Sequence, residues 1–215
     1  MDKNIATSGL SKIDIYNHKI LSFLNELSNI TGVKLDNIPL NDKDTLKIFI
    51  DSDTLNIPYF SSDIAQKLLN SCKSHIKDFD DLVKVFGFGH GTDVWTDNAE
   101  HLISNGIAFK NIIGNTEDIV DFLLSYGVDT SAAHKVMEIS RRGLATKKQE
   151  AKDYIYSLGI EYNLPHWWLE SVCKIKYIFK REQAIVCTQL AFKSAYFKVH
   201  YPKVFKEFYE KNILC

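Results

Sequence analysis

Apolar residues recur at helical spacing along almost the whole chain, and alternating strand patterns are nearly absent. Leu21, Leu24, Leu27 and Ile30 line one face of a predicted helix that Gly32 ends. A loop with Pro39 follows, then a short helix around 44–49. The stretch 51–60, DSDTLNIPYF, reads as extended chain. Ser61 is expected to cap a helix reaching about Leu69, with Asp63 favouring the helix dipole. Asp78 caps DDLVKVF, and Gly87 is placed to stop it. Residues 87–91 are then expected as a loop, because two glycines and a Thr-Asp pair break the period. Asn115 caps EDIVDFLLSY, with Asp118 three positions on and Gly127 at its end. Thr130 or Ser131 opens SAAHKVMEISRR, which Gly143 closes. A further helix is predicted over roughly 146–158, and Pro165 opens HWWLESVCKIKYIF. The last two helices span about 182–200 and 203–212, separated by Pro202. The expected fold is an all-α, multi-helix domain over 12–215, preceded by a flexible lead-in at 1–11. Val94, Trp95, Phe122, Leu123, Val136, Ile175 and Phe179 are expected in its core.

Composition changes this picture little. The chain has 215 residues, 45% hydrophobic and 25% charged, with a net charge of −1. That fits a soluble globular protein and argues against wholesale coating of nucleic acid. No run of 18 apolar residues exists and the N-terminus has no signal-peptide core, so a cytoplasmic protein without membrane partners is expected. Cys72, Cys173, Cys187 and Cys215 form no C-x-x-C pair, and the histidines form no H-x-x-x-H. Neither a zinc site nor a disulfide framework is signalled. Charge is unevenly spread. Residues 171–215 carry nine Lys/Arg against three acids, a balance of +6, whereas residues 1–65 carry six Lys against nine acids, a balance of −3. A basic C-terminal face suits a phosphate backbone, although Lys-rich helix faces are commonly just solvated.

Two stretches carry more information than the bulk numbers. One is the cationic, aromatic run from Lys174 to Pro202, KIKYIFKREQAIVCTQLAFKSAYFKVHYP; the other is GFGHGTDVWTDNAE, Gly87 to Glu100. Both resemble the fingers domain of bacterial C-family replicative DNA polymerases, above all the PolC-type polymerase III alpha subunit. The six residues His90 to Trp95 are identical to that family's HGTDVW. KIDIYNH at 12–18, AHKVMEISRRGL at 133–144, LPHWWLESVCKIKYIF at 164–179 and YFKVHYP at 196–202 resemble further family blocks in the same order.

The resemblance implies a role in DNA replication. Fingers close over an incoming nucleotide, and their cations hold its phosphates. By that resemblance Arg141, Arg142, Lys174, Lys176, Arg181 and Gln183 are candidates for nucleotide or phosphate binding. His90, Thr92, Lys198, His200 and Lys203 are candidates for DNA contact. No catalytic residue is assigned. The family's Mg2+ is held by carboxylates of a palm that nothing here resembles, so no cofactor is expected on this chain. The pair Asp51 and Asp53 imitates a metal-binding D-x-D but aligns with a fingers loop. There are also departures. Where the family has a histidine, two alanines and a tyrosine, this chain has Gln183, Ile185, Val186 and Cys187. Branched bulk and a thiol give a base pair neither close approach nor a stacking surface.

These observations imply a non-catalytic module that binds primer-template DNA or replicative polymerase subunits. The alternative is a separately encoded or truncated fingers part of an active polymerase, completed by a palm-bearing chain. Blander readings stand beside both. HGTDVW can be architectural, with His90 and Asp93 capping helices and Trp95 in the core. Trp167 and Trp168 face different sides of a helix, so one is expected inside and one half-exposed. Tyr196, Phe197, Tyr201, Phe205, Phe208 and Tyr209 read mainly as a packing stripe.

Overall fold

The helical periodicity is realised as eleven α-helices among the described residues, which in this computed structural model are 18–213. In chain order they are α1 (His18–Thr31), α2 (Lys43–Ile50), α3 (Asp63–Cys72), α4 (Phe79–His90), α5 (Glu100–Ser104), α6 (Thr116–Ser125), α7 (Thr130–Arg141), α8 (Gln149–Glu161), α9 (His166–Lys174), α10 (Arg181–His200) and α11 (Pro202–Ile213). The lead-in at 1–11 and Cys215 lie outside the described residues. No strand forms among the described residues, only an isolated antiparallel bridge between Thr92 and Tyr177. Nor is any helix there long and apolar enough to cross a membrane.

Local chemistry explains most helix starts. Asp42, Ser62, Asp78, Asn115 and Asp129 each accept a hydrogen bond from a backbone N–H three residues on. The caps at Ser62 and Asp129 replace the expected Ser61 and Thr130 or Ser131. Other expectations fail where tertiary contacts override local signals. Residues 51–60 are not extended but a series of turns, with positive φ at Ser52 (58°), Asn56 (68°) and Tyr59 (65°). The Thr54 hydroxyl donates to Phe60 O across this loop. The helix expected from 146 starts at Gln149, after turns in which Lys147 and Lys148 donate to Leu144 O. α9 ends at Lys174 rather than continuing to Phe179, because the N–H groups of Lys176 and Tyr177 pair with Thr92 O instead. Gly87 does not stop α4, which runs on through the predicted loop to His90. A Cβ on Gly87 would collide with Gly114 O. This glycine therefore serves a close crossing, not a helix end. The wide turn Trp95–Ala99 and α5 carried no signal in the periodicity.

The core is organised on α10, which packs against α1, α2, α4 and α11. It buries Ala184, Cys187, Thr188, Leu190, Ala191, Phe192, Ser194, Ala195 and Phe197, so it is enclosed on most of its circumference. Phe192 stacks on Phe49 at 6.0 Å and meets Phe79 edge-on at 5.9 Å. A second aromatic group joins α6 to α9, where Phe122 stacks on Trp168 at 4.8 Å. Trp168 is fully buried and Trp167 half-exposed, as their adjacent positions require. Val94, Phe122, Leu123, Val136 and Ile175 are in the core, whereas Trp95 and Phe179 are only partly covered. In the C-terminal stripe Phe197 and Phe205 are buried, and the other four rings pack partly covered against them.

Gly87→Ala should lower stability by about 1–3 kcal/mol, the usual cost of overpacking. Denaturant unfolding checks this, and an unchanged midpoint would show that the α4 crossing relaxes freely.

Candidate functional site

The extended segment 175–180, between α9 and α10, organises the sequence-predicted residues. Ile175 and Ile178 point inward and are fully buried, while Lys174, Lys176 and Tyr177 are exposed. Three neighbours pin its backbone. Thr92 N–H donates to Tyr177 O at 2.8 Å, and Thr92 O accepts from Lys176 N–H at 3.1 Å. Gly143, at φ +59°, lies so close under Lys176 that any Cβ would strike its carbonyl. Thr116 N–H, in the first turn of α6, donates to Phe179 O at 3.1 Å.

That first turn is itself fixed. Asn115 and Asp118 form a capping box, and Asp118 also accepts the Gly114 N–H at 2.8 Å. The next residue of the segment is then held from outside α10. The Arg181 N–H donates to Thr116 Oγ1 and Glu117 Oε2, both at 3.2 Å. Lys180, the N-cap of α10, contributes no side-chain cap of its own.

The candidate cations form two groups. Arg141, Arg142, Lys174 and Lys176 gather with Thr92 around the pinned segment. Arg141 makes a two-pronged contact with Glu138, both distances 2.8 Å, and Arg142 reaches the same carboxylate at 3.3 Å. Lys176 pairs with Asp93 at 2.9 Å, and Lys174 donates to Asp97 O at 3.2 Å. Arg181 follows at the start of α10, paired with Asp80 at 3.1 Å. Gln183 lies half-buried one half-turn on. The second group sits at the other end of α10, roughly 25 Å away at 1.5 Å per residue. There Lys198 donates to Asp53 O, Asp53 Oδ1 and Leu55 O, and so closes the 51–60 loop. His200 contacts Asp42 at 3.0 Å, and Lys203 is exposed in the first turn of α11.

The HGTDVW stretch lies against the first group. His90 stacks on Phe86 at 3.8 Å, and its Nδ1 is 2.9 Å from Phe86 O. Asp93 and Asp97, both with positive φ, hold Lys176 and Lys174. Asn98, which lies inside the family-like stretch Gly87–Glu100 but was not singled out in it, anchors the turn. Its amide donates to Asp93 O and Ser171 O, and its Oδ1 accepts from the Ser171 hydroxyl at 2.6 Å. The resemblance of that stretch was the available signal, since nothing local distinguishes Asn98 from the polar residues around it. Gly91, Asp93 and Trp95 also line an open cleft of about 620 Å³ bounded by α3 and Phe88. A smaller apolar hollow of about 220 Å³, with Tyr59, Phe86 and His90 in its wall, lies beside it.

The divergent positions of α10 separate by face. Val186 is 39% exposed, Ile185 is partly covered and Cys187 is buried. Burial pushes the Cys187 thiol up from its ordinary range, against a hydrogen bond with Tyr59. The 51–60 loop thus brings an aromatic ring beside the residue that departs from the family tyrosine. Among the described residues no group of three or more His, Cys, Asp or Glu is gathered as a metal site.

Residues 17–157 match the model of the bacterial DNA polymerase III alpha subunit finger domain. The chain is 34% identical over 219 residues to the PolC-type DNA polymerase III of Caldanaerobacter subterraneus subsp. tengcongensis, covering 95% of this chain and 15% of that protein. It is 36% identical over 211 residues to the PolC-type enzyme of Thermotoga petrophila, covering 91% and 15%, and 32% identical over 208 residues to that of Lactococcus lactis, covering 89% and 12%. The chain therefore spans about an eighth to a seventh of the length of these relatives.

Glu138 neutralises two of the clustered arginines and is the test point of this site. The Arg141 hydrogen bond holds its carboxyl below the ordinary value of 4.5, with burial opposing. Whatever this contact adds to stability is complete above that value and is lost as pH falls through the lowered one. An NMR titration of Glu138 should have its midpoint below 4.5. Glu138→Gln should elute later from heparin, because Arg141 and Arg142 are released. A midpoint at or above the ordinary value, with unchanged elution, would contradict the arrangement.

Proposed function

We propose a function from one premise: the chain belongs to the finger-domain family of bacterial DNA polymerase III alpha subunits, and it is a PolC-type fingers domain. On that premise it acts in DNA replication as a phosphate-contacting element that catalyses nothing alone. The observation that carries this reading is the gathering of Thr92, Arg141, Arg142, Lys174 and Lys176 around one pinned segment, each at the surface. Their present partners are exposed carboxylates and one carbonyl. The single-point pairs of Arg142 and Lys176 contribute about 0–1 kcal/mol each, so a phosphate backbone displaces them at little cost, whereas the two-pronged Arg141–Glu138 contact is the firmer one. Lys198 and His200, by contrast, are engaged in closing the 51–60 loop and in holding Asp42.

Within this reading the ligand is primer-template DNA, and the setting is the cytoplasm. The chemistry of nucleotide transfer needs two metal ions on carboxylates, which by resemblance belong to a palm. Val186, exposed on α10, and Ile185, partly covered beside it, put branched side chains where the resemblance places alanines in the family. That argues against a working triphosphate pocket on this chain.

Purified protein should therefore bind primer-template DNA weakly. Its log–log salt slope should be about −0.9 for each phosphate contacted. Lys174→Ala with Lys176→Ala should flatten that slope. No primer extension is expected with magnesium and the four deoxynucleoside triphosphates. Robust extension by the isolated chain would overturn the non-catalytic reading. Extension appearing only on addition of a fingerless, palm-bearing polymerase would favour a split enzyme instead.

A further inference from the structure

The buried ammonium of Lys84 has no place in the sequence motifs, yet it lies at the origin of the contacts that set α10. Its Nζ is 2.9 Å from Lys110 O, 2.9 Å from Ile112 O, 3.4 Å from Phe109 O and 2.9 Å from Asp118 Oδ1. Its side chain is 8% exposed and that of Asp118 10%. The three carbonyls close the short turn Phe109–Asn111, whose terminal C=O groups need a donor. Gly114 packs against the Lys84 stem so closely that a Cβ there would meet Lys84 Cγ at 2.8 Å.

From Asp118 the contacts continue without a gap. Its Oδ2 accepts from Gly114 and Asn115 N–H, which sets the first turn of α6. That turn gives Thr116 N–H to Phe179 O and receives Arg181 N–H on Thr116 Oγ1 and Glu117 Oε2. Because α10 has no side-chain cap from its own sequence, its first residue is held by α6, and Lys84 on α4 meets α6 through Asp118. The same helix α4 supplies Asp80 to the Arg181 guanidinium.

We propose that Lys84 is a positioning residue for the phosphate-contacting face. Through Asp118 and the first turn of α6, it sets the register of the 175–180 segment and the start of α10. The inference rests on the reading that this face meets phosphate. It differs from a simple core staple in what it affects: a staple sets stability alone, whereas a positioning residue also sets how many cations meet the DNA together.

Lys84→Met alone leaves Asp118 buried and unpaired, and the loss of stability would mask the effect. The informative variant is Lys84→Met with Asp118→Asn. It keeps an oxygen to cap α6, removes both charges and leaves the new side-chain amide as a donor toward the carbonyls that the ammonium satisfied. Thr116→Val is the second variant, cutting the Oγ1 contact to Arg181 while leaving the buried pair intact. Two quantities are read on folded protein: amide exchange at Arg181 and the salt slope of primer-template binding. Exchange at Arg181 should speed up by about tenfold, as for a local opening. The slope should shrink by about 0.9 for each phosphate that the misplaced cations no longer reach. Both variants should show this. If the wild type binds with a salt slope and both variants match it in slope and in Arg181 exchange, Lys84 is only a staple and the proposal is overturned. If the wild type itself ignores primer-template at low salt, the phosphate reading fails and this role fails with it, whatever Arg181 does.

Discussion

A charged nitrogen buried among helices ties α4, α6 and the chain between them into one unit. Leaving one such ion unpaired costs several kcal/mol, a large part of the total stability of a domain of this size. Lys84 is tolerated because three carbonyls and the Asp118 carboxylate surround it. Those oxygens come from the turn Phe109–Asn111, the carbonyl just after it and α6, so satisfying one ammonium fixes several backbone segments at once. The glycine contacts tighten the same region. Gly87 and Gly114 let α4 approach the 112–115 chain to a distance that no side chain at either position would permit.

From this knot the order propagates outward to a surface on which four cations face two carboxylates. Arg141, Arg142, Lys174 and Lys176 stand against Glu138, Asp93 and the Asp97 carbonyl. Such an arrangement holds its cations in place without burying them. The Asp93–Asn98 turn contributes by architecture rather than by direct chemistry: Asn98 and Ser171 lock it, and its Asp93 and Asp97 orient two lysines. The architectural and DNA-facing readings of HGTDVW are thus compatible. Val94 is the buried member of the motif, His90 and Thr92 are exposed, and the turn also presents the lysines of another segment.

Much of this fold was legible because its helices are amphipathic and their caps are local. Asn115 with Asp118, or Asp78 before a hydrophobic run, are signals complete within four residues. The failures share one cause. Gly87 resembles a helix stop, but its reason is a carbonyl 27 positions away in the chain. Residues 175–179 have helical periodicity, but Thr92 competes for their N–H groups. Residues 51–60 read as extended because their turns are held by Lys198, far along the sequence. In the candidate site, the cations were legible by type and motif. Their partners were not, since Glu138 looks like an ordinary surface acid until the chain folds, and Asp93 reads as a helix cap rather than as the partner of Lys176. Lys84 was invisible for the same reason: a lysine within DDLVKVF gives no hint that it faces inward.

The central claim is that DNA meets the face around residues 175–180. Amide chemical shifts followed by NMR during titration with primer-template DNA at low salt would test it most directly. The account predicts changes concentrated at Thr92, Arg141, Arg142 and residues 174–181. Changes confined to Lys198, His200 and Lys203 at the opposite end of α10, or spread evenly over all exposed lysines, would contradict it.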